Sequence, residues 1–291
     1  MLLLDRRTVL KAGAAAAVAP ALAPSLAAAA PSAAEVFNGS ALAEYVASTL
    51  IVGEESLVVI DAQFAKADAV LLADQIAATG KRLDTVFLTH IHPDHIMGTS
   101  VLRARFPEAR VVAHPAIAAL LGEVGPDIFD LRRDIAGYSA GDSFAAPDAL
   151  DGPLVLEGEA FEVLDPMVGD TGLITPVHLP QFDTLVASDV VYAGAPVWVT
   201  ETTTAETLAA WRQSLDTLES VGAGRVVPGH DGEIPYTGSA IDYTRDFLDR
   251  WEAALAAATD RASLTEAVRD IVGLEPESFF MQFAINAVYP E

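Results

Sequence analysis

Three of the chain's six histidines fall within six residues, in Leu88-Thr89-His90-Ile91-His92-Pro93-Asp94-His95-Ile96-Met97-Gly98. Imidazole and carboxylate at that density are ligand chemistry for Zn²⁺, Fe or Mn. His90 and His92 are two residues apart, so an extended chain presents both on one side, able to grip one ion together. Pro93 bends the chain, which turns Asp94 and His95 toward a second position beside the first. The chain has no cysteine, so any metal site must be built from nitrogen and oxygen donors.

Such a turn needs rigid elements on either side. Thr85-Val86-Phe87-Leu88 is a short, wholly apolar run that suits a strand buried on both faces. The segment from His95 to Phe106 reads as a helix leaving the turn. Upstream, Thr49 to Gln63 reads as a β-hairpin around Gly53-Glu54-Glu55, and Ala67 to Ala78 as a helix closed by Gly80. Downstream, Ala109 to Pro115 reads as a strand. Gly122 to Asp151 has no clean period and many Gly, Pro and Asp, which predicts an insertion or lid-like loop. A second set of strands covers Pro153–Gly158, Ala160–Pro166, Leu173–Pro180 and Thr184–Tyr192. Thr204 caps a helix that ends at Gly222, Arg225 to His230 is a further strand, and helices over Ser239–Ala258 and Ser263–Val272 close the chain. Two successive β-then-α halves with no short repeat pack economically as two sheets back to back with helices outside. No linker separates the halves, so residues 31–291 read as one domain.

The first thirty residues stand apart. Arg6-Arg7, then Val9-Leu10-Lys11, then an uncharged alanine-rich run ending near Ala27–Ala30, resemble a twin-arginine export signal. Pro20 and Pro24 break that run, which is short and weakly apolar for a membrane span. Export predicts a periplasmic or secreted protein with no membrane partner once the leader is removed. The whole chain carries a formal charge of −24, and losing the leader's three basic groups and one acid would leave −26. So acidic a surface repels phosphate backbones, which opposes nucleic acid as a partner and a nuclease as the function. Sequence leaves the oligomeric state open.

The HxHxDH motif between a buried strand and a helix resembles the metallo-β-lactamase superfamily, over about Thr49 to Ile234. The resemblance implies a four-layer αββα sandwich and a two-metal cleft. It implies that Asp189, after Thr184-Leu185-Val186-Ala187-Ser188, is a carboxylate bridging two metals, and that His230, ending Val226-Val227-Pro228-Gly229-His230, is a later histidine ligand. Where the family usually has Gly-His-Thr, this chain reads Gly169-Asp170-Thr171, so Asp170 takes the histidine's place. His90, His92 and Asp170 would then hold one ion, Asp94, His95 and His230 the other, with Asp189 between them. His178 is a rival ligand but lies within a strand eight residues on; His114 reads as a strand-end histidine.

Two such ions, zinc first with iron or manganese suited to the Asp170 position, would activate a bridging water against a carbonyl carbon. Asp94 would pass its proton to the leaving group. Tyr192 follows Asp189 in the Asp-x-x-Tyr arrangement of lactone-opening members, either donating to a substrate oxygen or packing as a core aromatic. Trp198, Phe129 and Tyr138 are candidates for a pocket wall or for core, and Asp61 for orienting a ligand histidine or for a turn. The leading expectation is an exported dinuclear hydrolase that opens an ester or lactone of a small neutral or apolar molecule. The alternatives are a mononuclear non-haem iron oxygenase using His90, His92 and Asp170, a β-lactam hydrolase, and a binding protein on a decayed site.

Overall fold

Gly53, Glu54 and Glu55 interrupt two apolar runs, and the chain reverses there. The computed structural model describes residues 31–43, 45–232, 234–269, 271 and 279–290. Strand β1 (Ala33–Asn38) pairs antiparallel with β2 (Ala47–Val52), which pairs antiparallel with β3 (Ser56–Ile60). Helix α1 (Lys66–Ala78) crosses to β4 (Arg82–Leu88), parallel to β3. Short helices α2 (Pro93–Ile96) and α3 (Thr99–Arg105) lead to β5 (Arg110–Ala113), and α4 (Pro115–Arg132) leads to β6 (Asp148–Ala149). These six strands lie in the order β1-β2-β3-β4-β5-β6.

The second half begins as an antiparallel meander of β7 (Leu154–Leu156), β8 (Glu159–Val163), β9 (Val177–Leu179) and β10 (Thr184–Tyr192). Helix α5 (Ala205–Val221), capped by Thr204 and ended by left-handed Gly222, crosses to β11 (Arg225–His230), parallel to β10. Helices α6 (Gly238–Ala257), α7 (Arg261–Arg269) and α8 (Phe279–Val288) follow.

Side-chain alternation along the strands builds the layers. Val58, Ile60 and Phe87 point from the first sheet into an inter-sheet core, meeting Val177, Leu179 and Val186 of the second. Their neighbours Leu57, Val59, Val86 and Leu88 point the other way, onto residues of α1, α3 and α4. Leu185 and Ala187 of β10 likewise face α5, α6, α7 and α8. The result is a four-layer αββα sandwich.

Three expectations need correction. The region expected to be an insertion loop from Gly122 begins as the second half of α4. Gly122, Gly125 and Pro126 mask its period, although Ile117, Ala118, Leu121 and Phe129 recur at helical spacing and are buried. Gly125 is required by packing, because a Cβ there would lie 2.3 Å from the Phe144 ring. The single helix expected after the histidine turn is split into α2 and α3 at Met97-Gly98; Gly98 passes so close to Ala62 that a Cβ would stand 1.7 Å from its carbonyl oxygen. Strands β1 and β6 and helix α8 were not expected at all. The thirty-residue leader, and Val272 at the end of the last expected helix, lie outside the described residues.

Candidate metal centre

The strands that end at one rim of the sandwich deliver the polar groups. The end of β4 runs into Thr89 and His90, and Asp61 follows β3 beside it. Asp61 accepts from the backbone N–H of Thr89 at 2.9 Å and from its hydroxyl at 2.8 and 3.0 Å. Asp61 adopts φ +63°, and Ser188 in β10 adopts φ +48°. The β10–β11 register slips on both sides of Ser188. Such irregularities re-aim a side chain out of the ordinary pleat, and here the chain turns Asp189 toward the histidines. Gly229 on β11 leaves room for it: a Cβ there would fall 1.7 Å from Asp189 Oδ1. Asp170 comes from the loop between β8 and β9, its backbone N–H donating to the Asp189 carbonyl at 3.2 Å.

Residues from both halves therefore converge in two overlapping groups. His90, His92, Asp170 and Asp189 form one, and Asp94, His95, Asp189 and His230 the other; within each group one donor atom per residue lies within 4.8 Å of the rest. Asp189 belongs to both. Its Oδ2 lies 3.5 Å from His90 Nε2 and 3.4 Å from His230 Nε2, and its Oδ1 lies 3.1 Å from His95 Nε2. His92 Nδ1 is 3.1 Å from Asp170 Oδ2, and His230 Nε2 is 3.3 Å from Asp94 Oδ2.

The outer faces of the imidazoles are occupied. Asp61 Oδ2 meets His95 Nδ1 at 2.8 Å, the Thr89 hydroxyl meets His90 Nδ1 at 3.0 Å, and Glu201 Oε1 meets His92 Nε2 at 3.0 Å. Each ring thus presents its remaining nitrogen inward. Among the described residues, His90 Nε2, His95 Nε2, Asp170 Oδ1 and Asp189 Oδ1 are buried without a hydrogen-bond partner. Orphaned buried polar atoms are rare in folded proteins, and four converging on one space fit a bound cation.

The electrostatics lead to the same fit. Burial and the neighbouring Asp189 push the Asp170 carboxyl up to about 7, even though His92 pulls it down. Burial opposes charge on His230 too, but Asp189 and Asp94 outweigh it and hold the imidazole up at about 10. Asp189 is held well below the carboxylate range, against the cost of burial, by His95, His230 and His90. In this field protons on histidine compensate the buried carboxylates, a role that a divalent cation fills better.

Tyr192 packs in the core, as one of its two readings has it, and also touches the centre. Its fully buried ring stacks on His230 at 5.0 Å, and its hydroxyl donates to Asp170 Oδ2 at 2.9 Å and Asp189 Oδ2 at 3.3 Å. Asp61 orients a histidine, and Trp198 lines the cavity over the site. Phe129 and Tyr138 do not: they pack on each other at 5.1 Å in the core under α4. His178 pairs with Glu162 across β8 and β9, and His114 caps α4 by accepting from the Ala116 N–H. Sequence reasoning missed Glu201 and Ser188, which no local motif marks, and the phenyl rings of α8.

A cavity of about 590 Å³ opens over these groups. Four layers with a histidine–aspartate centre on the rim shared by both sheets define an αββα protein built around one edge cleft. The chain belongs to the metallo-beta-lactamase superfamily, whose family model matches residues 42–230. Among solved structures it is similar to a metallo-beta-lactamase family protein from Thermus thermophilus, with a TM-score of 0.61 and 19% identity over 88% of this chain and 90% of that one. A metallo-beta-lactamase from Pontibacter korlensis is similar at a TM-score of 0.55 and 19% identity, over 75% and 99%. Two curated relatives match over short segments. One is a hydroxyacylglutathione hydrolase of Stenotrophomonas maltophilia (strain R551-3), 47% identical over 64 residues, 22% of this chain and 23% of the relative. The other is a hydroxyacylglutathione hydrolase of Acidiphilium cryptum (strain JF-5), 49% identical over 55 residues, 19% and 22%. The match spans less than a quarter of either relative.

Proposed function

We propose that this protein is a dinuclear metal-dependent hydrolase that opens an ester, lactone or thioester bond. His90, His92 and Asp170 would hold one ion, Asp94, His95 and His230 the other, with Asp189 shared between them. Two divalent cations so placed would polarise a carbonyl oxygen and make a water nucleophilic near neutral pH. The chain's own groups do the rest. Asp94 faces the cavity and is placed to take a proton and pass it to the leaving group. Asp61, Thr89 and Glu201 fix which imidazole nitrogen faces inward, and Tyr192 steadies the two carboxylates through its hydroxyl. A carboxylate at Asp170 where the family usually has histidine favours a harder ion, iron or manganese, at the first position.

The observation that carries this reading is the pair of four-donor groups meeting at Asp189. The short matches to hydroxyacylglutathione hydrolases add support for an ester-type or thioester bond over a β-lactam. The oxygenase alternative needs only His90, His92 and Asp170, and leaves the adjoining Asp94–His95–His230 group without a purpose. The arginine pair and alanine-rich run of residues 1–30 support export to the periplasm or beyond.

Elemental analysis of the purified protein, combined with a panel of lactones, aryl esters and thioesters, tests the proposal. About two metals per chain and turnover abolished by a chelator are expected. Fully metallated protein that hydrolyses none of these bonds would overturn it; one iron per chain with oxygen uptake would establish the oxygenase instead.

A further inference from the structure

We infer that the cavity selects a carbonyl compound carrying an extended apolar chain, and that α8 supplies the selecting wall. This deepens the hydrolase reading above by naming the substrate class. The cavity that reaches Asp94, Asp189 and His230 is walled on one side by Phe279, Phe280 and Phe283 of α8 together with Trp198. These rings form a continuous surface. Trp198 meets Phe280 at 5.0 Å and Phe283 at 5.6 Å, and Phe279 meets Phe283 at 4.6 Å. Phe280 also reaches the edge of His230 at 5.9 Å, so the aromatic wall begins at the metal centre itself.

The opposite wall comes from α4 and the segment beyond it, through Ile128, Leu131 and Ile135. Leu131 and Ile135 are 70% and 62% exposed, and Phe279 is 58% exposed. Water contact on that scale, on both sides of one opening, is unfavourable unless something apolar covers it. Apart from the groups of the centre, the only charged side chains lining the cavity among the described residues are Glu201 and Arg132. A strongly polar substrate would find few partners along these walls, whereas an alkyl or aryl chain would be desolvated on both sides.

The family match ends at residue 230, and α8 lies wholly beyond it. Laid along the cleft with Phe280 at the edge of His230, this helix is placed to set specificity.

The test uses the metal-loaded protein with two homologous series. One is 4-nitrophenyl esters from acetate to decanoate; the other is 2-alkanones of matching length, which carry the carbonyl and cannot be hydrolysed. In the ester series kcat/KM should rise roughly two- to fourfold per added methylene until the cavity is full, the range expected for burying CH₂ groups. Ketone binding, followed by tryptophan fluorescence, should strengthen in parallel. The double variant Phe279→Ala/Phe283→Ala and, on the facing wall, Leu131→Ser should each cut the long-to-short ratio by about tenfold or more. Both remove side chains that are partly exposed, on separate helices, so one folding failure leaves the other variant as a test; thermal melts verify the fold. Ketones that bind by length while no ester, lactone or thioester turns over would sustain this inference and remove the hydrolase reading. Esters hydrolysed at equal rates whatever their length, or variants that keep the full length dependence, would overturn the inference and leave the hydrolase intact. So would sedimentation that buries these side chains in a dimer with no length dependence in either series.

Discussion

Glu201 reaches the centre without belonging to its motif. It contacts His92 Nε2 at 3.0 Å and accepts from the Thr171 hydroxyl at 2.7 Å, which ties His92 to the loop that carries Asp170. An imidazole can present either nitrogen, and a carboxylate on the outer one decides which. Replacing Glu201 with Gln keeps the shape and loses the charge. Because the side chain is 46% exposed, water would compensate in part, and the effect should sit at the low end of the usual range for such partners. We expect a loss of roughly fivefold to tenfold in affinity for the first ion and little change for the second. Competition against a chelating dye, titrating both ions, measures this; equal weakening of both, or none, would show that Glu201 does not position His92.

At the scale of elements, Glu157 ties the β7–β8 turn to the β2–β3 hairpin. It adopts φ +52° and accepts from the backbone N–H groups of Glu54, Glu55 and Ser56 at 2.7, 2.8 and 2.7 Å, and from the Ser56 hydroxyl. Partial burial raises the carboxyl, but those four donors outweigh it and bring it down to about 2. The folded value lies below the ordinary 4.5, so the ionised group stabilises the fold. That contribution is present above the ordinary value and is lost as pH falls from there through about 2. Glu157→Gln should therefore cost about 1–2 kcal/mol near neutral pH, with the gap to the parent protein narrowing in acid. Urea midpoints of both proteins at about pH 7 and about pH 3 check the sign. How far the elements could be read in advance follows the range of the signal. The hairpin, β4 and the histidine turn are local patterns, and all were legible. Asp189 and His230 were legible only through the resemblance to the superfamily, because a polar group on an apolar strand does not by itself mark a partner. Helix α4 was hidden because Gly122, Gly125 and Pro126 interrupt its pattern, Gly125 in the service of packing against Phe144. Glu201 and the rings of α8 were illegible for a different reason: they act only across the fold, and nothing in Val199-Thr200-Glu201 or in Phe279-Phe280 announces a partner far away in sequence.

For the molecule as a whole, the centre is a clip between halves. His90, His92, Asp94 and His95 follow β4 of the first sheet, whereas Asp189 and His230 lie on β10 and β11 of the second. Without cations, the buried carboxylates Asp170 and Asp189 crowd one space in a chain of formal charge −24. The halves then hold together through the inter-sheet core of Val58, Ile60, Phe87, Val177, Leu179 and Val186. Bound ions would add attraction across that seam and remove repulsion within it. A ligand that binds only the folded state stabilises it by about 2.7 kcal/mol per site at a hundred times its Kd. Two occupied sites in a chain of this size correspond to a rise of about 10–20 °C in Tm. Calorimetry of loaded and chelated protein should show one transition in the loaded form, displaced upward by that amount. An unchanged Tm on loading would mean that the cluster holds no ion, and the dinuclear mechanism would fall with it. A shift confined to one of two separate transitions would place the ions within one half, contrary to the shared position of Asp189.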